Sequence, residues 1–104
     1  MKIIRTIVVD DEPAARARLV RMLKTDPDIE VVAECRNGAE ALDTIRAENI
    51  DLVYLDIQMP QVNGLELVSK FPPERVPYVV FVTAHDRFAL KAFDLNAVDY
   101  LLKP

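Results

Sequence analysis

Three aspartates are the residues of this sequence best suited to chemistry. Asp10 and Asp11 directly follow the apolar run 7–9, and Asp56 directly follows the apolar run 52–55. Two carboxylates about 4 Å apart repel by roughly 4 kcal/mol at the effective dielectric of a protein surface, so three of them at one place require a cation. We predict that Asp10, Asp11 and Asp56 form one acidic cluster that binds magnesium.

Magnesium suits this cluster because it prefers oxygen ligands and keeps coordination positions open for water and phosphate. The chain has one cysteine and one histidine, which excludes a zinc site of the usual kind. A carboxylate that attacks phosphorus forms an acyl phosphate. Asp56 is the best placed nucleophile for that reaction.

A parallel sheet would bring these aspartates together. The apolar runs 7–9, 52–55 and 78–82 are uninterrupted, as in strands buried on both faces, and helix-like segments separate them. Further strands are expected at about 30–35 and 98–101. Strands that alternate with helices favour a doubly wound α/β domain, in which ligands bind beyond the carboxyl ends of the strands.

Four helices are expected between these strands. The first begins near Pro13, and the second follows the turn signal Asn37-Gly38. The third is short and the fourth lies near 86–93. In the first helix we expect one buried face, formed by Ala15, Leu19, Met22 and Leu23. We also expect a solvated basic stripe, formed by Arg16, Arg18, Arg21 and Lys24. The second helix should pack Ala41, Leu42 and Ile45, and the third carries Leu65, Leu67 and Val68.

Two further polar residues follow strands. Thr83 closes the fourth strand and Lys103 follows the fifth, so both should meet the aspartates at one edge of the sheet. Lys103 can pair with one oxygen of a transferring phosphoryl group, while the Thr83 hydroxyl hydrogen-bonds another. Each residue alone would be interpreted as an ordinary solvated side chain. Their convergence favours a phosphoryl-transfer site.

Composition limits the function of the chain. With 104 residues and 51% hydrophobic side chains it forms one domain with a real core, and its single Cys35, expected in that core, permits no internal disulfide. The formal net charge of -4 argues against nucleic-acid binding by this segment. The sequence contains neither a signal peptide nor an apolar run of membrane-spanning length, so we expect a cytoplasmic protein with no membrane partner.

Four motifs in order carry a family resemblance: VVDDEP, LVYLDIQMPQVNG, FVTA and VDYLLKP. The sequence resembles the receiver domains of two-component response regulators over nearly its whole length. It is most similar to receivers of the LytR/AlgR type, given ARARLVRML, DIQMP and FALKAFDLNAVDYLLKP. Those receivers usually precede a LytTR DNA-binding domain, which is absent from these residues. The resemblance implies a flavodoxin-like α/β fold, with a doubly wound five-stranded parallel sheet in the order 2-1-3-4-5.

The resemblance also implies a role for each matching residue. Asp10 and Asp11 would hold Mg²⁺ together with Asp56 and the main-chain carbonyl of Gln58, and Asp56 would be phosphorylated. The residues that would respond to or contact the phosphoryl group are Thr83, Tyr100 and Lys103, with a cis bond between Lys103 and Pro104. A phosphohistidine on a sensor histidine kinase would be the donor, docking partly around Ala14, Ala15 and Arg18.

Some residues keep a second interpretation. Tyr100 would be a switch residue paired with Thr83, or it packs as an aromatic on an edge strand. His85 could line the phosphoryl site, although an exposed loop histidine is the simpler interpretation. The basic stripe of the first helix could meet a kinase or be only a solvated face.

Three functions compete. The leading hypothesis is a phosphorylation-controlled switch that acts only on itself and turns over no external substrate. An aspartyl-nucleophile phosphatase would need a general acid two residues after the nucleophile, where this chain has Gln58, and a cap domain for which about 100 residues leave no room. A receiver-like binding module that works without phosphorylation would usually lack one of the acids or the lysine.

The expected helices number one fewer than the expected strands. A doubly wound unit usually covers its last strand with a fifth helix, and the sequence reaches Pro104 before one could form. We therefore expect residues 1–104 to be a receiver domain truncated before its fifth helix. Uncovered apolar surface favours association, so we also expect a homo-oligomer.

Overall fold

The computed structural model describes residues 3–56, 64–83 and 99–102. Strands and helices alternate along most of it. The strands are β1 (Ile4–Val9), β2 (Ile29–Cys35), β3 (Leu52–Asp56), β4 (Tyr78–Thr83) and β5 (Asp99–Leu102). The helices are α1 (Pro13–Leu23), α2 (Gly38–Ala47) and α3 (Gly64–Ser69), followed by a short 3-10 helix over Pro73–Arg75. The helix expected near 86–93 lies outside the described residues.

The five strands form one parallel sheet in the order β2-β1-β3-β4-β5. This confirms the predicted flavodoxin-like topology, including strand bounds within a few residues. The register aligns the carboxyl ends of the strands: Val9 pairs with Leu55, Asp56 with Val82, and Thr83 with Leu102. The strand ends that carry the predicted site therefore lie along one edge of the sheet.

Apolar side chains pack on both faces of the sheet. On one face, the buried Ile7 and Val9 of β1 pack in a cluster with Ala41 and Ile45 of α2. This cluster also contains residues of β3, β4 and α3, namely Val53, Leu55, Leu67, Val79 and Phe81. On the other face, Val8 packs with residues of α1. The neighbouring side chains of β1 thus anchor helices on opposite faces, as expected of a strand covered on both sides.

The buried face of α1 differs from the predicted one. Met22 is 59% exposed, whereas Val20 is only 5% exposed and packs with Leu19, Leu23 and Val8. The prediction for Met22 was wrong because this residue lies about 100° around the helix from Leu23, beyond the edge of a stripe centred between positions 19, 20 and 23.

The basic stripe of α1 was also predicted incorrectly at one position. Arg18, Arg21 and Lys24 are exposed as expected, but the Arg16 side chain is only 15% exposed. Arg16 lies one helical turn before Val20 and so shares the stripe that faces the sheet. Its charged group is directed to the end of β1 instead of to water.

The turn that leads from β2 into α2 is closed by side chains. Asn37 is the N-cap of α2 and its side chain accepts a hydrogen bond from the Glu40 amide at 2.9 Å. In return the Glu40 carboxylate accepts from the Arg36 amide at 2.8 Å. This reciprocal arrangement resembles a capping box. It explains why the turn signal Asn37-Gly38 correctly marked the start of a helix.

Cys35, the last residue of β2, is buried as predicted, and burial raises the pKa of its thiol above the ordinary value of about 9. The folded state therefore holds this proton more tightly than the unfolded chain does. The resulting stabilisation is complete below the unfolded pKa and is lost as the pH rises through the folded pKa. We expect Cys35→Ala to flatten the alkaline decline of the free energy of unfolding, measured by urea titration between about pH 8 and pH 10.5. Parallel pH curves for the two proteins would contradict this.

Candidate magnesium and phosphoryl-acceptor site

The structure brings the three predicted aspartates together. Asp56 is the last residue of β3 and Asp10 directly follows β1, the neighbouring strand. One carboxylate oxygen from each of Asp10, Asp11 and Asp56 lies within 4.8 Å of the others. Asp10 and Asp56 are buried while Asp11 is exposed, so the cluster has a closed inner side and an open outer side.

Asp10 is held by hydrogen bonds to three of its groups. Its amide donates to the carbonyl of Cys35 at 3.0 Å, which ties the end of β1 to the end of β2. One carboxylate oxygen, Oδ1, accepts from the Glu12 amide at 2.9 Å. Its main-chain carbonyl accepts from Nη1 of Arg16 at 2.8 Å. The main chain and the carboxylate of Asp10 are thus both oriented by hydrogen bonds within the protein.

The beginning of α1 supports this arrangement. Glu12 is the N-cap residue, and Pro13 occupies the first turn, where its missing N–H costs no helical hydrogen bond. Because the Asp10 carboxylate accepts from Glu12, it satisfies one of the amide donors that a helix start leaves free. Asp11 lies between the strand and the helix, where the short connection leaves its side chain exposed.

The donor set fits magnesium. Three carboxylates offer hard oxygen ligands within 4.8 Å of one another, and Asp11 is exposed, which suits an ion that prefers oxygen ligands and keeps several water ligands. Among the described residues, this is the one group of three or more acidic, cysteine or histidine side chains close enough to hold a metal ion.

The other predicted site residues are described only in part. Thr83 ends β4 beside β3, and Tyr100 lies in β5 opposite Phe81. The backbone of Thr83 is therefore at the same edge as Asp56, one strand away. Gln58, Lys103 and His85 lie outside the described residues, so their predicted roles stay predictions. The proposed docking residues lie in the first half of α1, where Ala14 and Arg18 are exposed and Ala15 is half-buried.

Sequence reasoning missed the part that Arg16 plays in this site. The Nη1 group of Arg16 donates to Asp10, and its Nε donates to the Glu34 carboxylate of β2 at 3.4 Å. The sequence does contain a signal for this role of Arg16. Arg16 precedes the buried Val20 by four residues, so the two side chains lie on the same side of the helix, toward the sheet.

A family model decides the assignment: the model described as "Response regulator receiver domain" matches residues 6–104. The chain belongs to this family. A curated relative, the transcriptional regulatory protein BtsR of Salmonella typhi, is 50% identical over 101 residues, which are 97% of this chain and 42% of that protein. An uncharacterised response regulatory protein of Yersinia pestis is 52% identical over 101 residues, again with 97% and 42% covered. The chain thus spans about two fifths of the length of these relatives.

Among solved structures, the receiver fold is matched by the response regulator TrrA of Thermotoga maritima in complex with Mg²⁺ and beryllofluoride. It has a TM-score of 0.84 and 33% identity, covering 100% of this chain and 88% of that one. This receiver domain is therefore part of the two-component signalling proteins called response regulators. Of the helices that the structure describes, none has the length and hydropathy needed to cross a bilayer.

Proposed function

We propose that this receiver domain is a switch that accepts a phosphoryl group on Asp56 from a phosphohistidine of a sensor histidine kinase, with Mg²⁺ bound at the acidic cluster. The observation that carries the proposal is the convergence of the three carboxylates within 4.8 Å at the carboxyl edge of the sheet. A carboxylate oxygen of Asp56 would attack phosphorus, the P–N bond of the donor would break, and its electron pair would stay with the imidazole. The product is an acyl phosphate on Asp56.

Other residues support this transfer by charge and position. Asp10, Asp11 and the main-chain carbonyl of Gln58 would hold Mg²⁺, which when bound supplies positive charge to a phosphoryl oxygen. Lys103 would pair with a second oxygen, and the Thr83 hydroxyl would donate a hydrogen bond to the group. In this proposal Thr83 and Tyr100 relay the modification to the face of β4 and β5. No pocket for an external substrate is required, so the only chemistry is phosphorylation and dephosphorylation of the domain itself.

The partners follow from the same proposal. The kinase would dock on the first half of α1 around Ala14, Ala15 and Arg18. A phosphorylated receiver would then control an effector domain of a longer protein, and the relative BtsR is named a transcriptional regulatory protein. We therefore propose that DNA binding belongs to an effector of the LytTR type and not to this acidic segment. Self-association stays a prediction.

The experiment that tests the proposal is the intact mass of the protein after incubation with acetyl phosphate. We expect a mass increase of one phosphoryl group in the presence of Mg²⁺ and no increase when EDTA replaces it. If the folded protein forms no adduct, the proposal fails in favour of a receiver that binds partners without phosphorylation. Steady release of phosphate from a generic phosphate ester would instead indicate a phosphatase.

A further inference from the structure

Arg16 of α1 bonds to the acidic cluster at the end of β1 and to a carboxylate of the neighbouring strand β2. Its Nη1 donates to the main-chain carbonyl of Asp10 at 2.8 Å, and its Nε donates to the Glu34 carboxylate at 3.4 Å. The side chain is 15% exposed, whereas Arg18 and Arg21 of the same helix are exposed. The guanidinium thus links α1, the end of β1 and the edge strand β2.

The contact with Asp10 is made to the main chain and not to the carboxylate. The carbonyl of Asp10 belongs to the peptide that joins Asp10 to Asp11, so holding it orients the peptide plane from which Asp11 leaves and restricts the positions that the exposed Asp11 side chain can reach. Asp11 lies in a short connection, and its side chain is the one member of the cluster that is not buried. A bond to the adjoining peptide can therefore position a metal ligand that packing does not hold.

Glu34 has a complementary part in this arrangement. A guanidinium beside three carboxylates would be attracted to them directly, where it would compete with a cation for the same oxygens. The Glu34 carboxylate accepts from Nε and so gives the guanidinium a carboxylate partner outside the cluster. Arginine makes the two bonds through separate nitrogens held in one planar group, a geometry that the single nitrogen of lysine cannot reproduce.

We infer that Arg16 is a positioning residue for magnesium binding, which acts by holding the Asp10–Asp11 peptide through the Asp10 carbonyl. The inference rests on the proposed function, since it assumes that the acidic cluster is a magnesium site. Groups that orient metal ligands from outside the coordination sphere commonly contribute about tenfold or more to metal affinity. Charge alone would act in the opposite direction, because removing a positive charge near a cation site strengthens cation binding.

The test is the dissociation constant for Mg²⁺, measured from the amide chemical shifts of the protein during titration with Mg²⁺ alone. We expect Arg16→Met to weaken binding by about tenfold. Arg16→Lys keeps the charge and has one nitrogen in place of two, which can hold the Asp10 carbonyl only in part, so its dissociation constant should fall between those of Arg16→Met and the wild type. Arg21→Met is the matched control, because it removes the same charge from an exposed position of the same helix and should leave the constant unchanged.

The free energy of unfolding without Mg²⁺ is measured for each variant, so that a purely structural effect can be recognised. Arg16→Met that binds Mg²⁺ as tightly as the wild type, or more tightly, overturns the inference whatever its stability. If Arg16→Met does not fold, Arg16→Lys decides: weaker binding than wild type supports the inference, and equal binding overturns it. A wild type that binds no Mg²⁺ overturns the proposed function and this inference together, whereas a wild type that binds Mg²⁺ no more tightly than Arg16→Met overturns this inference alone.

Discussion

Asp56→Asn is expected to abolish the phosphoryl adduct and, at the same time, to stabilise the metal-free protein. The adduct should disappear because the amide is a far weaker nucleophile than the carboxylate and cannot form the same acyl phosphate. The stability should rise because carboxylate oxygens within 4.8 Å repel by roughly 1 to 3.5 kcal/mol per pair, depending on the effective dielectric. After partial screening by solvent at the exposed Asp11, a gain of about 1 to 2 kcal/mol is expected.

Magnesium should reverse this order of stability. A ligand that binds only the folded state stabilises it by about 2.7 kcal/mol at a hundredfold excess over its dissociation constant. The wild type should therefore gain stability when Mg²⁺ is added, whereas Asp56→Asn, which lacks one ligand, should gain much less. Urea unfolding with and without Mg²⁺ measures both effects, and intact mass after treatment with acetyl phosphate measures the adduct.

Asp43→Asn is the control for this prediction. Asp43 is an exposed residue of α2, so its substitution changes the net charge equally without touching the cluster. This variant should keep the adduct and the full response to Mg²⁺. An adduct that persists in Asp56→Asn would identify a different acceptor residue. A loss of metal-free stability in that variant would show that hydrogen bonds to Asp56 outweigh the repulsion within the cluster.

The position of the acidic cluster could be predicted from the sequence because it depends on topology and not on detailed packing. Uninterrupted apolar runs identify buried parallel strands, and right-handed crossovers leave few possible orders for them. Once β1 and β3 are neighbours, the residues that follow Val9 and Leu55 must lie side by side. The order and register of the strands therefore determine which side chains at the strand ends lie close together.

The surroundings of the cluster were less predictable because they depend on small rotations of α1. Apolar periodicity suggested Met22 as a core residue, yet a rotation of the buried stripe toward Val20 leaves Met22 in water. The same rotation turns Arg16 inward, so that an apparently solvated basic residue contacts Asp10. The pattern of residue types predicts that a helix has a buried face more reliably than it predicts where that face is centred. A long side chain near the edge of the face can therefore either extend into solvent or bond to the protein.

Phe81→Ala is expected to destabilise the domain by about 3 to 5 kcal/mol, the range for removing a buried phenylalanine side chain from a close-packed core. Phe81 is 1% exposed and belongs to the cluster that also contains Leu55 of the adjacent β3. A loss of this size is a large share of the roughly 5 to 15 kcal/mol by which domains are stable. Urea unfolding would show it as a large fall in the midpoint, or as a chain that is already unfolded.

Two substitutions on related positions make this prediction specific. Phe81→Leu keeps most of the apolar volume and should lose much less, and Tyr78→Ala removes an aromatic that is 69% exposed on the same strand. The Tyr78 variant should stay within about 0.5 kcal/mol of the wild type. Phe81 lies two residues before Thr83 in β4. Because Phe81→Leu loosens the core only slightly, the end of this strand should stay in place, and the variant should also retain the phosphoryl adduct. If Phe81→Ala and Tyr78→Ala lowered the free energy of unfolding equally, the prediction would be wrong. Burial of Phe81 in the core would then not be what stabilises β4.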